Sequence, residues 1–172
     1  ILQRPYNIVA DPADTPRDIF ISGFDSAPSA PNYNYTLQGE AEAFQAGIDA
    51  LLQLTDGAVH LGLNADLKPC DTYKEVEGVK KTYYKGAHPA GNVGVQIHHT
   101  APINKGEVIW TVDPQHVVFI GRLFKDGRFD THHLVALTGP EVENAKYYET
   151  YAGANVGELA KDKLVEDNVR YI

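Results

Sequence analysis

The segment from Gly86 to Pro102, GAHPAGNVGVQIHHTAP, concentrates residue types that could do chemistry. It holds three histidines, three glycines and two prolines in seventeen residues. Histidine can bind metal ions or transfer protons, and a glycine-rich turn before a helix can bind phosphate through backbone N–H groups. The alternatives are therefore a metal site, a phosphate site, or a turn whose role is to fix the shape of the backbone.

The histidines do not favour a metal site. His98 and His99 are adjacent, as are His132 and His133. Neighbouring side chains point to opposite faces of a strand, or about 100° apart on a helix, so neither pair readily chelates one ion. His88 with His98 or His99 remains geometrically possible, but no HxxxH or HExxH spacing supports it. We predict no bound metal.

Phosphate binding is only weakly indicated. The sequence GNVG follows an expected strand and could begin a short helix at Val93, where free N–H groups would face an anion. However, it lacks the three-glycine dinucleotide fingerprint and the Walker lysine and serine. We therefore interpret Gly91 and Gly94 as glycines required by the backbone geometry of a turn.

Nucleophilic catalysis finds no support either. Ser22, Ser26 and Ser29 lie in no GxSxG motif, and the single cysteine, Cys70, has no neighbouring base to activate it as a nucleophile. We predict no catalytic residue in this chain.

The composition is that of a globular α/β protein of 172 residues. Hydrophobic residues make up 43% and charged residues 22%, and no apolar run approaches the roughly 18 residues of a membrane helix. The net charge is −8, with no long basic cluster, which argues against nucleic acid as a partner. One cysteine excludes an internal disulfide.

Apolar periodicity predicts alternating strands and helices in the first three quarters of the chain. A strand, a helix and a second strand joined by one crossover imply parallel pairing and a Rossmann-like unit. Pro28 and Pro31 are expected to keep SAPSAPNYNY out of a helix, with Tyr33 and Tyr35 at a loop tip, and residues 64–77 are expected to be a mobile polar stretch. The predicted elements are strands in RDIFISGFD, AVHLGL, GVKKTYY and EVIWTV, and helices in QGEAEAFQAGIDALLQLTDG and in the segment that Asp113 caps and Gly127 ends.

A second, smaller β-rich unit is expected from His133 onward. It comprises short strands in LVAL, KYYETY and NVRYI around a helical segment, NVGELA. The chain contains no methionine and stops inside the last expected strand, so we expect it to be part of a longer protein.

Several long segments together resemble the central part of one protein family. They are DIFISGFDSAP, EAFQAGIDALLQLTDGAVHLG, GAHPAGNVGVQIHHTAPIN, PQHVVFIGRLFKDGRFDTHHLVALTGPEV and NVRYI. In this order they resemble the A subunits of the sodium-translocating NADH:quinone reductases, and HPAG with the glycine and histidine after it is the most specific motif.

The resemblance implies two domains. Residues 1–132 would form a Rossmann-like α/β domain, related to the flavin subunit of complex I but without its cofactor site, after an N-terminal linker. Residues 133–172 would be part of a β-grasp domain of the soluble-ligand-binding (SLBB) type. Further domains are expected before and after this chain.

The resemblance also implies a role in a membrane complex that oxidises NADH, reduces ubiquinone or menaquinone and exports sodium. The complex uses NADH, flavins, iron centres and quinone, and we expect none of these cofactors on this chain. We expect a peripheral, quinone-proximal subunit on the cytoplasmic face of the bacterial inner membrane, attached through partner subunits that include the membrane subunits. The isolated chain is expected to be inactive.

Two groups of residues are candidates for a site. An exposed, proline-bounded segment with a cation beside an aromatic ring could hold a quinone head group, and its residues are Arg4, Pro5 and Tyr6; the alternative is an inter-domain linker from Arg4 to Pro12. The residues that match the family motif, interpreted as a rigid turn, are His88, Pro89, Gly91, Gly94 and His98.

A second function remains open at this point. The chain could be an independent flavin- or nucleotide-binding α/β domain that has kept a working site. Flavin absorbance of the purified chain distinguishes the two hypotheses.

Overall fold

The computed structural model describes residues 1–166 and 168–171, in two compact units. The first unit comprises Ile1–Ala27 and Asn32–Asp130. The second comprises Pro28–Pro31 and the chain from Thr131 onward.

A six-stranded sheet forms the centre of the first unit. Its order is β2-β1-β6-β3-β4-β5, in which β6, β3, β4 and β5 are parallel and β1 is antiparallel to both of its neighbours. In the second unit β7 and β8 pair antiparallel. The strands are β1 Leu2–Arg4, β2 Ile8–Val9, β3 Asp18–Ser22, β4 Val59–Asn64, β5 Val79–Tyr84, β6 Ile109–Thr111, β7 His132–Leu137 and β8 Lys146–Tyr151.

Helices connect most of these strands. Among the described residues, none of the helices combines the length and apolar character needed to cross a bilayer. They are α1 Tyr33–Thr36, α2 Ala41–Leu52, α3 Asp71–Glu75, α4 Val93–Thr100, α5 Pro114–Asp126 and α6 Val156–Ala160. This arrangement confirms the predicted α/β fold.

Alternation along β3 explains why helices cover both faces of the sheet. Ile19 and Ile21 are buried with the apolar faces of α2 and α5, whereas Phe20, between them, is buried with Ile97 of α4. Successive side chains of a strand point to opposite faces, so three consecutive apolar residues require cover on both sides.

The two helices on the first face approach each other closely. A Cβ atom on Gly121 of α5 would lie 1.6 Å from the carbonyl oxygen of Ala43 in α2, and a Cβ on Gly47 would lie 2.1 Å from that of Val117. Two glycines without side chains therefore set the distance between α2 and α5.

The predicted caps of α5 are confirmed. The Asp113 side chain accepts a hydrogen bond from the N–H of Gln115, Pro114 occupies the first turn, and Gly127 ends the helix in the left-handed conformation. These signals are local, which is why the sequence predicts them well.

Three predictions about irregular segments are wrong. The segment from Arg4 to Pro12, for which an inter-domain linker was the alternative, includes the end of β1 and all of β2, and the hairpin of these two strands extends the sheet beyond β6. The loop expected at Tyr33 and Tyr35 is the short helix α1: Pro31 precedes its N-cap, Asn32, and so does not interrupt it. The stretch at 64–77 contains α3, in which Tyr73 is fully buried.

The last predicted strand is also wrong where the structure describes it. Residues 168–171 of NVRYI are not in a strand, and Ile172 lies outside the described residues. The other predicted elements of this unit, around LVAL, KYYETY and NVGELA, are confirmed as β7, β8 and α6.

A polar cluster lies at the amino ends of the parallel strands. The Arg17 side chain pairs with Asp18 and Glu107, and Asp18 in turn lies 3.4 Å from Nε2 of His60. The His60 ring stacks on Phe20 with a centroid distance of 4.2 Å, and its buried Nδ1 has no hydrogen-bond partner among the residues that the structure describes.

Burial decides the charge of this histidine. It lowers the pKa of His60, and the Asp18 carboxylate offsets only part of that effect, while Lys80 and Arg17 act in the same direction as burial. Burial raises the pKa of Asp18, but hydrogen bonds from the Ala58 N–H and the Arg17 guanidinium outweigh it and leave the pKa below its ordinary value. The folded protein therefore holds a neutral His60 beside an ionised Asp18.

We predict that the free energy of unfolding falls as the pH decreases through about 6.5, because the unfolded chain then binds a proton at residue 60 that the folded chain does not. His60→Phe should flatten this part of the profile. The exposed His99 provides the control, because His99→Gln should keep the wild-type slope. Urea unfolding between pH 5 and 8 measures the effect, and equal slopes in all three proteins would contradict it.

Candidate functional site

A cavity of about 540 Å³ opens at the carboxyl ends of β3 and β6. The chain passes from β3 through α2 to β4 on one side, and later returns from β5 through α4 to β6 on the other side of β3. The order of strands reverses between β3 and β6, and ligands of open α/β sheets bind at such a switch point. The topology therefore places the cavity where a ligand site is expected.

Four parts of the first unit line this cavity. They are the hairpin, the segment after β3, the turn before α4 with the first residue of that helix, and the beginning of α5, to which Tyr33 of α1 is hydrogen-bonded. The lining residues include Arg4, Asp25, His88, Val93, Asp113 and Tyr33.

Hydrogen bonds attach the predicted turn to the segment after β3. The Gly91 N–H donates to Oγ of Ser26 at 2.8 Å, and this hydroxyl lies 3.1 Å from Nδ1 of His88. Since Ser26 already accepts from Gly91, its own proton is available for the histidine nitrogen. His88 therefore acts within this turn as a hydrogen-bonding residue held by Ser26.

A buried glutamine completes the attachment. Gln96 is fully buried, and its amide donates to Oγ of Ser22 at 2.8 Å and to the carbonyl oxygen of Ala90 at 3.2 Å. The Ser22 hydroxyl in turn donates toward the carbonyl oxygen of Gly91 at 2.9 Å. Sequence reasoning missed Gln96 and both serines; a glutamine at an apolar position of a short helix is the signal that could have identified them.

The two motif glycines differ in their surroundings. A Cβ on Gly91 would lie 2.5 Å from the backbone nitrogen of Ser26, which only glycine avoids. A Cβ on Gly94 would meet nothing closer than the Asn92 side chain at 3.3 Å. Gly91 is therefore the motif glycine whose missing side chain allows the close packing of the turn.

An acidic residue and a tyrosine form a second polar pair in the cavity. The Tyr33 hydroxyl donates to Oδ2 of Asp113 at 2.8 Å, and Oδ1 of the same carboxylate caps α5. Burial, followed by the charge of Asp113, raises the pKa of Tyr33 above its ordinary value. Tyr33 thus stays a neutral donor at physiological pH.

The three predicted quinone residues separate. Arg4 is half-buried and lines the cavity, together with His88 and Gly91. Pro5 and Tyr6 are exposed at the hairpin turn, Tyr6 to 81%, and neither is among the described residues that line the cavity.

The remaining motif residues lie away from the cavity lining. Pro89 lies in the turn before α4, Gly94 in the first turn of that helix, and His98 is exposed near its end, with its ring 5.2 Å from that of His99. Within 1–166 and 168–171, no group of three or more His, Cys, Asp or Glu side chains could hold a metal ion. The absence of metal in solution stays a prediction.

Two family models match the chain. The NqrA second alpha/beta domain matches residues 1–129, and the NQRA C-terminal domain, of the SLBB type, matches residues 134–172. The predicted boundary between 132 and 133 falls between the two matches.

Curated relatives agree with these matches. The chain is 35%, 36% and 37% identical to the A subunits of the Na(+)-translocating NADH-quinone reductases of Alcanivorax borkumensis, Serratia proteamaculans and Yersinia pestis, respectively. Each similarity covers 98% of this chain and 37% of the relative. The chain therefore spans just over a third of the length of these relatives.

We predict that Gly91→Ala lowers the free energy of unfolding by about 2 kcal/mol, because the added methyl group must displace backbone in a packed region. The matched variant Gly94→Ala should change it by less than about 1 kcal/mol, since alanine suits the first turn of a helix. Urea denaturation compares the two. Equal losses would show that the close approach at Gly91 does not govern the turn.

Proposed function

This chain belongs to the NqrA family of Na(+)-translocating NADH-quinone reductase subunits, and we propose that it serves there as a peripheral, quinone-proximal region. In the assembled complex, NADH oxidation by quinone would be coupled to sodium export. The flavins and iron centres would lie on partner subunits, and this chain would contribute binding surface and no redox group. Attachment to the cytoplasmic face of the membrane would run through those partners, including the membrane subunits.

The observation that carries the quinone-proximal role is the exposed end of the β1–β2 hairpin. Tyr6 is 81%, Ile8 53% and Val9 80% exposed. Ile8 and Val9 are consecutive in β2 and point to opposite faces, so this two-stranded element exposes apolar surface on both faces. Exposed apolar patches mark surfaces that contact a partner, a membrane or an apolar ligand. A tyrosine ring in such a patch can stack on a quinone head group.

One observation favours the alternative of a flavin- or nucleotide-binding domain, namely the cavity at the switch point. The turn before α4 weighs against it. The Gly91 N–H is bound by Ser26, and the residue packs against the backbone of Asp25, so this glycine is not open to a pyrophosphate. We therefore favour a domain that binds neither cofactor.

We predict that Tyr6→Ala, introduced into the NqrA protein of the complete complex, raises the KM for quinone about 2- to 10-fold, as expected for the loss of one aromatic contact of about 0.5–1.5 kcal/mol. The kcat should change less. Tyr83 in β5, at the opposite edge of the sheet and 56% exposed, provides the matched control, because Tyr83→Ala should leave the KM unchanged. Equal KM values for the two variants would contradict the proposal, as would a quinone photo-crosslink that maps only outside the hairpin.

We also predict that the purified chain binds neither NADH nor FMN. Calorimetric titration and flavin absorbance measure this directly. A dissociation constant below about 10 μM, equivalent to about −7 kcal/mol, for either cofactor would favour the alternative function.

A further inference from the structure

Arg4 lacks a partner that comparable arginines have. The other half-buried arginines, Arg17 and Arg122, are paired with Asp18 and Glu40, respectively. Arg4 makes no ion pair with the described residues, and its Nε is buried without a hydrogen bond. Nε has almost no accessible surface, whereas the terminal nitrogens, which also make no hydrogen bond with the described residues, are accessible. Since Arg4 lines the cavity, a ligand there can supply an acceptor to these terminal nitrogens.

The Arg4 guanidinium lies beside a second feature of positive charge, the N-terminal end of α4. A Cβ built on Gly94 would lie 3.9 Å from one terminal nitrogen of Arg4, so the guanidinium lies beside the first turn of α4. The positive end of the helix dipole is at this turn. The Asn92 side chain accepts from the N–H of Gly94, and Val93, the first residue of the helix, lines the cavity. Because the first N–H groups of a helix have no partner within it, the Val93 N–H is available to a ligand. Two features of the same sign are therefore adjacent, and an anion between them would relieve their repulsion.

The rest of the cavity limits the kind of anion. Its volume of about 540 Å³ is within the range of roughly 300–1,000 Å³ that is typical of small-molecule sites. The walls include apolar Phe24 and Pro114, and the carboxylates of Asp25 and Asp113 offer acceptors to hydroxyl groups. A ligand that pairs with the positive groups and also with the two carboxylates carries a negative group and hydroxyl groups on a small carbon frame.

We propose that this cavity binds a small hydroxylated organic anion, whose phosphate or carboxylate group lies between the Arg4 guanidinium and the Val93 N–H. Its hydroxyl groups meet Asp25 and Asp113. An uncharged quinone offers no such group, so this site is separate from the quinone contact proposed for the end of the hairpin.

Titration of the 172-residue chain with ribose 5-phosphate, malate and inorganic phosphate tests this proposal, with calorimetry for affinity and amide NMR for location. We expect one of the two organic anions to bind more tightly than inorganic phosphate and to shift the amide signals of Val93 and Gly94. The sugar phosphate and the hydroxydicarboxylate distinguish phosphate from carboxylate recognition.

Substitutions test whether the Arg4 guanidinium and the Val93 N–H bind the anion. Arg4→Gln should weaken binding at least tenfold and Arg4→Lys less, whereas Arg128→Gln, at an exposed position, should bind as the wild type does. Val93→Pro removes the other donor at the first helical position, where proline is tolerated, and should weaken binding while the helix is kept. If Arg4→Gln fails to fold, as judged by its urea midpoint, Val93→Pro decides alone.

Two results would overturn the site. One is that none of the three anions shifts the Val93 amide at millimolar concentration. The other is binding that a folded Arg4→Gln protein retains at wild-type strength, whatever Val93→Pro does.

Discussion

One buried hydrogen bond, from the Gln96 amide in α4 to the Ser22 hydroxyl at the end of β3, fixes where the candidate site is built. The two N–H groups of this buried amide are paired, with Ser22 and with the Ala90 carbonyl, while its Oε1 has no hydrogen-bond partner among the described residues. The two paired donors determine how α4 begins relative to the sheet. The neighbouring strand makes room for it, because a Cβ on Gly62 would lie 2.1 Å from Oε1 of Gln96. The turn before α4 is thus positioned by the sheet as much as by its own sequence.

The regular elements could be predicted because their signals are local. The strand β3 has a run of apolar residues, and α5 has an N-cap, a proline and a glycine at the expected places. The hairpin could not be predicted in this way. Its strands have three and two residues, too few for a periodicity, and the register of Leu2 opposite Thr111 joins segments that are distant in the sequence.

The candidate site was predicted only in part, because some of its residues give local signals and others depend on long-range contacts. Composition identified His88 and Gly91, because histidine and glycine are conspicuous in one short segment. The roles of Ser22 and Gln96 depend on a contact between residues 74 positions apart, which no local pattern encodes. Arg4 and Tyr6 were grouped because they are close in sequence, yet one lines the cavity and the other is exposed at the turn.

The cavity at the switch point differs from a dinucleotide site in the groups that can recognise a ligand there. In dinucleotide-binding folds, glycines leave backbone N–H groups open to phosphate. Here the Gly91 N–H is bound by Ser26, so recognition of charge passes to a side chain of the hairpin, Arg4. Only Pro5 separates Arg4 from the exposed Tyr6. The proposed anion site and the proposed quinone contact therefore lie on the same hairpin, two residues apart in the sequence, yet one side chain lines the cavity and the other is exposed.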